Sequence, residues 1–218
     1  MSKEHYSALQ KREDYKKDNQ LYLKNRVFLT FKNLIKTFFN REIENGQFLL
    51  DLGAGNGALV QVAKNEGLQS SGLDINQVNF ETDKINLGDG SCDIISAISL
   101  IEHIQNPRNL LNEAKRLLKK NGFFILVTPD WSYNMKSFYD DPTHVRPYTK
   151  KSLEFLLHSH GFKNIKIVPW LVCKPAWMWK IPFCFLMARL IPFRGSKNPW
   201  IPDFLKGKSK VLLSIATK

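Results

Sequence analysis

Cysteine is scarce in this chain, and so is acid. The 218 residues contain three cysteines, Cys92, Cys173 and Cys184, an odd number with no C-x-x-C spacing. That count excludes a disulfide framework and a zinc knuckle as the basis of the fold, and it suits a reducing, cytosolic setting. No apolar run reaches the ~18 residues of a membrane-spanning helix, and the opening MSKEHYSALQKREDYKKDNQ has no apolar centre of the signal-peptide kind. Only 12 glycines and 10 prolines stand against 43% hydrophobic residues, which removes collagen-like, low-complexity and wholly disordered chains. G-x-S-x-G, H-E-x-x-H and the Walker lysine are all missing, so the common serine-hydrolase, zinc-protease and phosphate-loop signatures are not there to be read.

The shortage of acid has a location. Asp and Glu number 20 against 32 Lys and Arg, a formal charge of +12. Residues 1–45 carry +4, residues 46–112 carry −5, and residues 113–218 carry +13. Such a surplus favours an anionic partner, and its place in the C-terminal half points first to an anionic membrane surface or a phosphorylated acceptor, and second to nucleic acid. Part of it lies in PAWMWKIPFCFLMARLIPFRGSKNPWIP (175–202), where Trp and Phe interleave with Lys180, Arg189, Arg194 and Lys197. That mixture suits a membrane interface. The expectation for 170–207 is a lid and shallow membrane contact that admits a lipid-linked acceptor, with packing on the N-terminal helices or a homodimer interface as the alternative.

The apolar pattern divides the chain at about residue 46. Before it, Val27, Phe31, Leu34, Ile35 and Phe38 recur at helical spacing, predicting an N-terminal helical cap over 1–45. After it, short apolar runs alternate with helical ones. QFLLDL, SSGLDI, QVNFE, CDIISAIS, GFFILVTP, NIKIVPW and SKVLLSIAT read as seven strands, and helices are predicted over 57–67, from Pro107 to the Lys119–Gly122 stop, and from Lys150 to Gly161. Near-continuous apolar strands alternating with helices mean an α/β sheet covered on both faces.

DLGAGNGAL (51–59) puts three glycines on a strand-to-helix turn, which lets a ligand approach main-chain amides at a helix N-terminus. Asp74 ends the next strand, where doubly wound sheets hold a ribose diol. Gly53, Gly55 and Ala58 also satisfy the G-x-G-x-x-A dinucleotide fingerprint. Asp51 weighs against it, because a carboxylate beside the turn repels a pyrophosphate and suits an ammonium group.

Asp51 to Gly57, Asp74, Asp83, GDGSCDIISAISLIEHIQNP (88–107), LLKKNGFFILVTP (117–129) and the terminal strand together resemble a class I S-adenosylmethionine-dependent methyltransferase. The likeness is strongest to the small-molecule branch that includes quinone and bacterial surface-polysaccharide or lipid-linked sugar methyltransferases. It implies a seven-stranded Rossmann-like sheet, mostly parallel with an antiparallel last strand, and S-adenosylmethionine as cofactor. Carried over by position, Asp51, Gly53, Ala54 and Gly55 would surround the amino-acid end of the cofactor, Asp74 and Ile75 the ribose, and Asp83 the adenine amino group, while Ser99 would line the methyl site. The chain departs from the family in three places. Only nine positions separate Asp74 from Asp83, so the usual intervening helix is missing or one turn long; Cys92 stands for an aromatic; and Asn121-Gly122 replaces Pro-Gly-Gly.

Methyl transfer from a sulfonium needs alignment and, for a hydroxyl acceptor, a base. His144, in DDPTHVRPYT, is the first candidate and His103, in SLIEHIQNP, the second, with Arg146 and Tyr148 as acceptor contacts. His158 and His160 are expected to complement a helix C-terminus. A catechol-type metal site wants an acid at the end of the fourth strand, where Ser99 stands, so no metal is expected. SLIEH is not the Asn/Asp-Pro-Pro-aromatic signature of base-amino methyltransferases, which disfavours nucleobase methylation. The alternatives to O-methylation of a small or lipid-linked acceptor are an RNA-modifying methyltransferase and a non-catalytic binding subunit.

Overall fold

The computed structural model describes residues 17–170, 190, 191, 200 and 209–218. Its elements in chain order are α1 (Lys17–Phe39), β1 (Phe48–Leu52), α2 (Ala58–Asn65), β2 (Gln69–Leu73), β3 (Cys92–Ile98), α3 (Arg108–Leu117), β4 (Leu118–Pro129), the short α4 (Trp131–Asn134), α5 (Lys150–Ser159), β5 (Lys163–Pro169) and β6 (Val211–Thr217). Single 3₁₀ turns lie at Ile101–His103 and Phe138–Asp140.

Among the described residues the strands form one six-stranded sheet in the order β2-β1-β3-β4-β6-β5. The β1–β2, β1–β3 and β3–β4 pairs are parallel, and β6 runs antiparallel to both β4 and β5. After β2 the chain crosses β1 to reach β3, which makes the β1/β3 boundary the topological switch point where open α/β sheets bind ligands.

Alternation along each strand sorts the core into two layers. Leu50, Leu52, Ile95, Ala97, Phe124 and Leu126 face α3 and α5, meeting Leu110, Leu111, Ala114, Leu117, Leu153 and Leu157. Leu49, Ile94, Phe123, Ile125, Val127 and Leu213 face α1 and α2, meeting Phe28, Phe31, Leu34, Ile35, Leu59 and Val62. Each fully buried Leu, Ile or Phe contributes about 1.5–3 kcal/mol by leaving water. The N-terminal helix is thus one wall of the core, with Val27, Phe31, Leu34 and Ile35 buried as their spacing predicts.

Two expectations change. The sheet has six described strands, not seven, because QVNFE (77–81) is turn. Asp83 Oδ2 accepts from the Asn79 amide at 2.9 Å, Asn79 Oδ1 accepts from the Glu81 amide at 3.0 Å, and Asn109 Nδ2 donates to the carbonyls of Phe80 and Asp83. These bonds give the backbone a local alternative to a ladder, while Phe80 still reaches the core at 4% exposure. The helix expected to run to Gly122 ends at Leu117, and Leu118 already pairs with Cys92 before a bulge shifts the register to Ile94–Phe123. The aromatic insertion predicted over 170–207 lies almost wholly outside the described residues, as does the membrane contact read from it. No helix among the described residues is long and apolar enough to cross a membrane.

Candidate functional site

The glycine turn follows β1 at the carboxyl edge of the sheet. Gly53 has φ +74°, a left-handed conformation natural to glycine, and its amide and that of Ala54 both donate to the Leu73 carbonyl, at 2.8 and 3.1 Å. The turn is thereby tied to the end of β2. A Cβ on Gly72 would lie 2.5 Å from Ala54 Cβ, so glycine there lets the turn lie against the strand. A Cβ at Gly55 would meet nothing within 4 Å, which leaves main chain open to a ligand at the N-terminus of α2.

Asp51, on the layer facing α1 and α2, is 2% exposed and accepts from Ser96 Oγ at 2.7 Å across the β1–β3 pair. Asp74, just past β2, is 8% exposed; its Oδ1 accepts from the Ile75 amide at 2.7 Å, and its own amide donates to Gln77 Oε1. The predicted cofactor residues Asp51, Gly53, Ala54, Gly55, Asp74 and Ile75 therefore share one edge. Asp83 is exposed and spends its carboxylate on its own turn, accepting from the Asn79 amide and from Thr82 Oγ1 at 3.0 Å.

Across the switch point β3 ends at Ile98, and the next residue, Ser99, is exposed with φ +51°, a left-handed backbone that costs a serine energy and persists where the surrounding structure over-determines it. Leu100 then packs against Gly53, 3.2 Å from where a Cβ would stand, joining the two loops. The 3₁₀ turn that follows carries Glu102 inward, 1% exposed. Thr128 Oγ1 donates to Glu102 Oε2 at 3.0 Å, while Oε1 is buried with no hydrogen-bond partner. Burial pushes the Glu102 carboxyl up to about 8, against the smaller downward pull of its hydrogen bonds.

The loop after β4 closes over this turn. The Glu102 carbonyl accepts from the amides of Val145 and Arg146, at 2.9 and 3.1 Å, and Arg146 Nη1 donates to the Gln105 carbonyl at 3.0 Å. His144 and His103 are thereby brought together with ring centroids 4.8 Å apart. Their tautomers follow from their partners. His144 Nδ1 lies 2.6 Å from the Phe138 carbonyl, which only accepts, so Nδ1 carries the proton. His103 Nδ1 faces the Thr143 carbonyl at 3.1 Å and Thr143 Oγ1 at 2.8 Å; that hydroxyl gives its hydrogen to Asp141 Oδ1, so His103 Nδ1 donates as well. In the neutral form of each ring, Nε2 is then the nitrogen with the lone pair. Burial, with His144 beside it, holds His103 below the ordinary imidazole range, so its ring is neutral at pH 7.

Tyr148 is buried at 3% exposure, and its hydroxyl has no partner; burial pushes that phenol well above its usual value. Arg146 is exposed, with its guanidinium carbon 6.0 Å from the Tyr148 ring centroid. The two predicted histidines and the two predicted acceptor contacts lie on one loop and the turn beneath it. His160 closes α5, its Nδ1 2.9 Å from the Leu156 carbonyl, away from this group. Glu102 is the residue the sequence reading passed over. Its signal was an acid between Ile101 and Ile104 in a run otherwise apolar from Ile98 to Ile104 save for Ser99 and His103.

A family model described as "Methyltransferase domain" matches residues 23–167. Among solved structures, an S-adenosylmethionine-dependent methyltransferase from Archaeoglobus fulgidus superposes with a TM-score of 0.60 at 20% identity, covering 88% of this chain and 94% of the other. Phosphoethanolamine N-methyltransferase 2 from Haemonchus contortus, in complex with S-adenosyl-L-methionine, gives a TM-score of 0.56 at 18% identity over 86% of this chain and 52% of that one. Both likenesses are of fold. A curated relative, a 37.1 kDa protein of transposon Tn4556 from Streptomyces fradiae, is 28% identical over 126 residues, and the match spans 36% of its length. With the family model spanning most of the chain and a glycine turn open at the edge of a matching sheet, this chain belongs to the methyltransferase-domain family.

Proposed function

We propose that the chain moves the methyl group of S-adenosylmethionine to a hydroxyl of a small or lipid-linked acceptor, such as a sugar of a surface polysaccharide. The observation that carries this reading is the pairing of His103 and His144 over the end of β3, each anchored through Nδ1 and each presenting Nε2 as a lone pair. Nitrogen acceptors that are neutral at pH 7 need no such base, whereas a hydroxyl does.

Bound S-adenosylmethionine supplies an electrophilic methyl on a sulfonium. Asp51 and the turn from Gly53 to Gly55 hold its amino-acid end, the carboxylate answering an ammonium, and Asp74 with Ile75 holds the ribose. Ser99, exposed just past β3 on the same sheet edge, lines the methyl site. His144 Nε2 draws the proton from the hydroxyl. Arg146, exposed on the same loop, meets an anionic part of the acceptor, and the buried Tyr148 hydroxyl offers a hydrogen bond within it.

Two measurements test this. Calorimetry is expected to show S-adenosylhomocysteine binding that Asp74→Ala weakens at least tenfold, and no binding of NAD; a wild type that ignores S-adenosylhomocysteine sinks the cofactor reading. Labelled S-adenosylmethionine is then offered with separated lipid, small-metabolite and RNA fractions. Label in base-stable ethers of the lipid or small-metabolite fraction is the expected result, and label confined to RNA overturns the acceptor class.

A further inference from the structure

The acceptor reading leaves one group idle. Glu102 is 1% exposed, has an oxygen with no hydrogen-bond partner, and adjoins the two histidines. A buried carboxylate oxygen left unpaired is costly, and a folded chain keeps one where something else completes it.

The geometry points to a divalent-cation site formed by Glu102, His103 and His144. One carboxylate oxygen and one ring nitrogen from each histidine lie within 4.8 Å of one another. Ligands on opposite sides of an ion bound at about 2.1 Å stand ~4.2 Å apart, so a small turn of the side chains closes the set. Each histidine has one ring nitrogen held by a hydrogen bond to the protein, as metal-ligating histidines usually do, which leaves the other for an ion. His103 donates through Nδ1 to Thr143 and His144 to the Phe138 carbonyl. Asp141 supplies a further carboxylate at the rim, its Oδ2 4.0 Å from His144 Nε2 and its Oδ1 fixed by the amide and hydroxyl of Thr143. Two imidazoles and a carboxylate, with positions left open, suit first-row transition ions such as Mn²⁺, Fe²⁺, Co²⁺ or Zn²⁺ better than Mg²⁺ or Ca²⁺, which favour oxygen. The sequence offers Asp140, Asp141 and His144 for a metal, but Ser99 stands where a catechol-type site wants an acid; Glu102 lies three residues later, in the turn.

The site deepens the proposed function and rests on it for what the cation does. A hydroxyl of the acceptor fills an open position, and the cation's charge lowers its pKa so that the proton leaves to solvent. The acceptor oxygen then forms its bond to the methyl carbon as the carbon–sulfur bond breaks, and that electron pair returns to sulfur, turning a sulfonium into a neutral thioether. His144 acts here as ligand, with the cation doing for the hydroxyl what a free imidazole would otherwise do.

The test uses the whole chain, stripped with EDTA and titrated with CoCl₂ and, separately, MnCl₂ and MgCl₂. The expected result is one Co²⁺ per chain with a visible d–d spectrum of mixed nitrogen and oxygen ligation, and weaker Mg²⁺. Glu102→Gln, which keeps the side chain's size, and His144→Ala are expected to lower Co²⁺ affinity at least tenfold while leaving S-adenosylhomocysteine affinity and the circular dichroism melting point close to wild type. No Co²⁺ bound at millimolar concentration by a protein that binds S-adenosylhomocysteine overturns the site and spares the cofactor reading. Equal Co²⁺ affinity in a His103→Ala, His144→Ala double variant overturns it too. Loss of S-adenosylhomocysteine binding in wild type strikes the proposed function instead, so the two failures are distinct.

Discussion

Gly72→Ala is expected to disable the cofactor turn from behind, without replacing any residue that meets the ligand. The added methyl would stand 2.5 Å from Ala54 Cβ and 3.0 Å from a methyl of Val60. Ordinary carbon contacts are about 3.5–4.0 Å, so Ala54 must retreat by more than an ångström. It is not free to do so, because the amides of Gly53 and Ala54 hold the Leu73 carbonyl one residue along the same strand. Overpacking of this kind costs about 1–3 kcal/mol, and a turn displaced by as much loses aim at the cofactor. Urea denaturation is expected to show a loss of about 2 kcal/mol, and calorimetry a tenfold or greater loss of S-adenosylhomocysteine affinity. Ala54→Gly removes the methyl that is struck, so Gly72→Ala with Ala54→Gly is expected to recover most of both losses, a coupling of about 1–2 kcal/mol between the sites. A Gly72→Ala protein with wild-type stability and affinity refutes the reasoning, and so does a double variant whose losses simply add.

Two further predictions concern the layer of α3 and α5. Arg116 hydrogen-bonds both oxygens of Glu113, which is 8% exposed, together with the Ile85 and Leu87 carbonyls and Asp89; Arg116→Met leaves that carboxylate the Ile85 amide but no cation and is expected to cost about 3 kcal/mol in urea denaturation. Arg116's hydrogen bonds hold the Glu113 carboxyl below its ordinary range, so its share of stability is present above the unfolded value of about 4.3 and is lost as pH falls through the lower folded value; the wild-type and variant stability curves should converge in acid. Thr149 and Ser152 form a reciprocal capping box at the start of α5, each hydroxyl accepting from the other's amide, and Thr149→Ala is expected to lower stability by about 1 kcal/mol with cofactor affinity unchanged.

How much of this was legible in the sequence depended on the range of the forces involved. Strands β1, β3 and β4 declared themselves because their residues are buried on both sides, and Leu49 with Leu50, or Phe123 with Phe124, must be apolar whichever layer they face. The glycine turn and its acids were legible because backbone conformation fixes residue type locally: Gly53 and Gly55 adopt positive φ, and Asp51 and Asp74 stand at strand ends. QVNFE misled because its apolar residues satisfy alternation while Asn79 and Asp83 bond their neighbours' amides, a competition that composition does not score. The His103–His144 pair was half legible. Each histidine could be placed at the carboxyl edge from its position after a strand, but their meeting depends on the Glu102 carbonyl accepting from Val145 and Arg146, a backbone contact across more than forty residues. Glu102 itself was lost because an acid in a loop is ordinarily solvated, and only the 3₁₀ turn that aims it inward reveals otherwise.

Asp51 and Glu102 put the same functional group into two settings at one sheet edge. Both are carboxylates at the carboxyl ends of adjacent strands, and both are almost completely buried, at 2% and 1% exposure. Asp51 takes the Ser96 hydroxyl beside a turn whose open face leads to the N-terminus of α2, a setting in which its charge would answer the ammonium group of the proposed cofactor. Glu102 has the single hydroxyl of Thr128, an orphan oxygen and two neighbouring imidazole lone pairs, with burial driving it toward the neutral form. The proposed cation would satisfy the orphan oxygen of Glu102, so the proposed acceptor side of the edge would be completed by its ligand, while Asp51 on the proposed cofactor side already has a partner in Ser96.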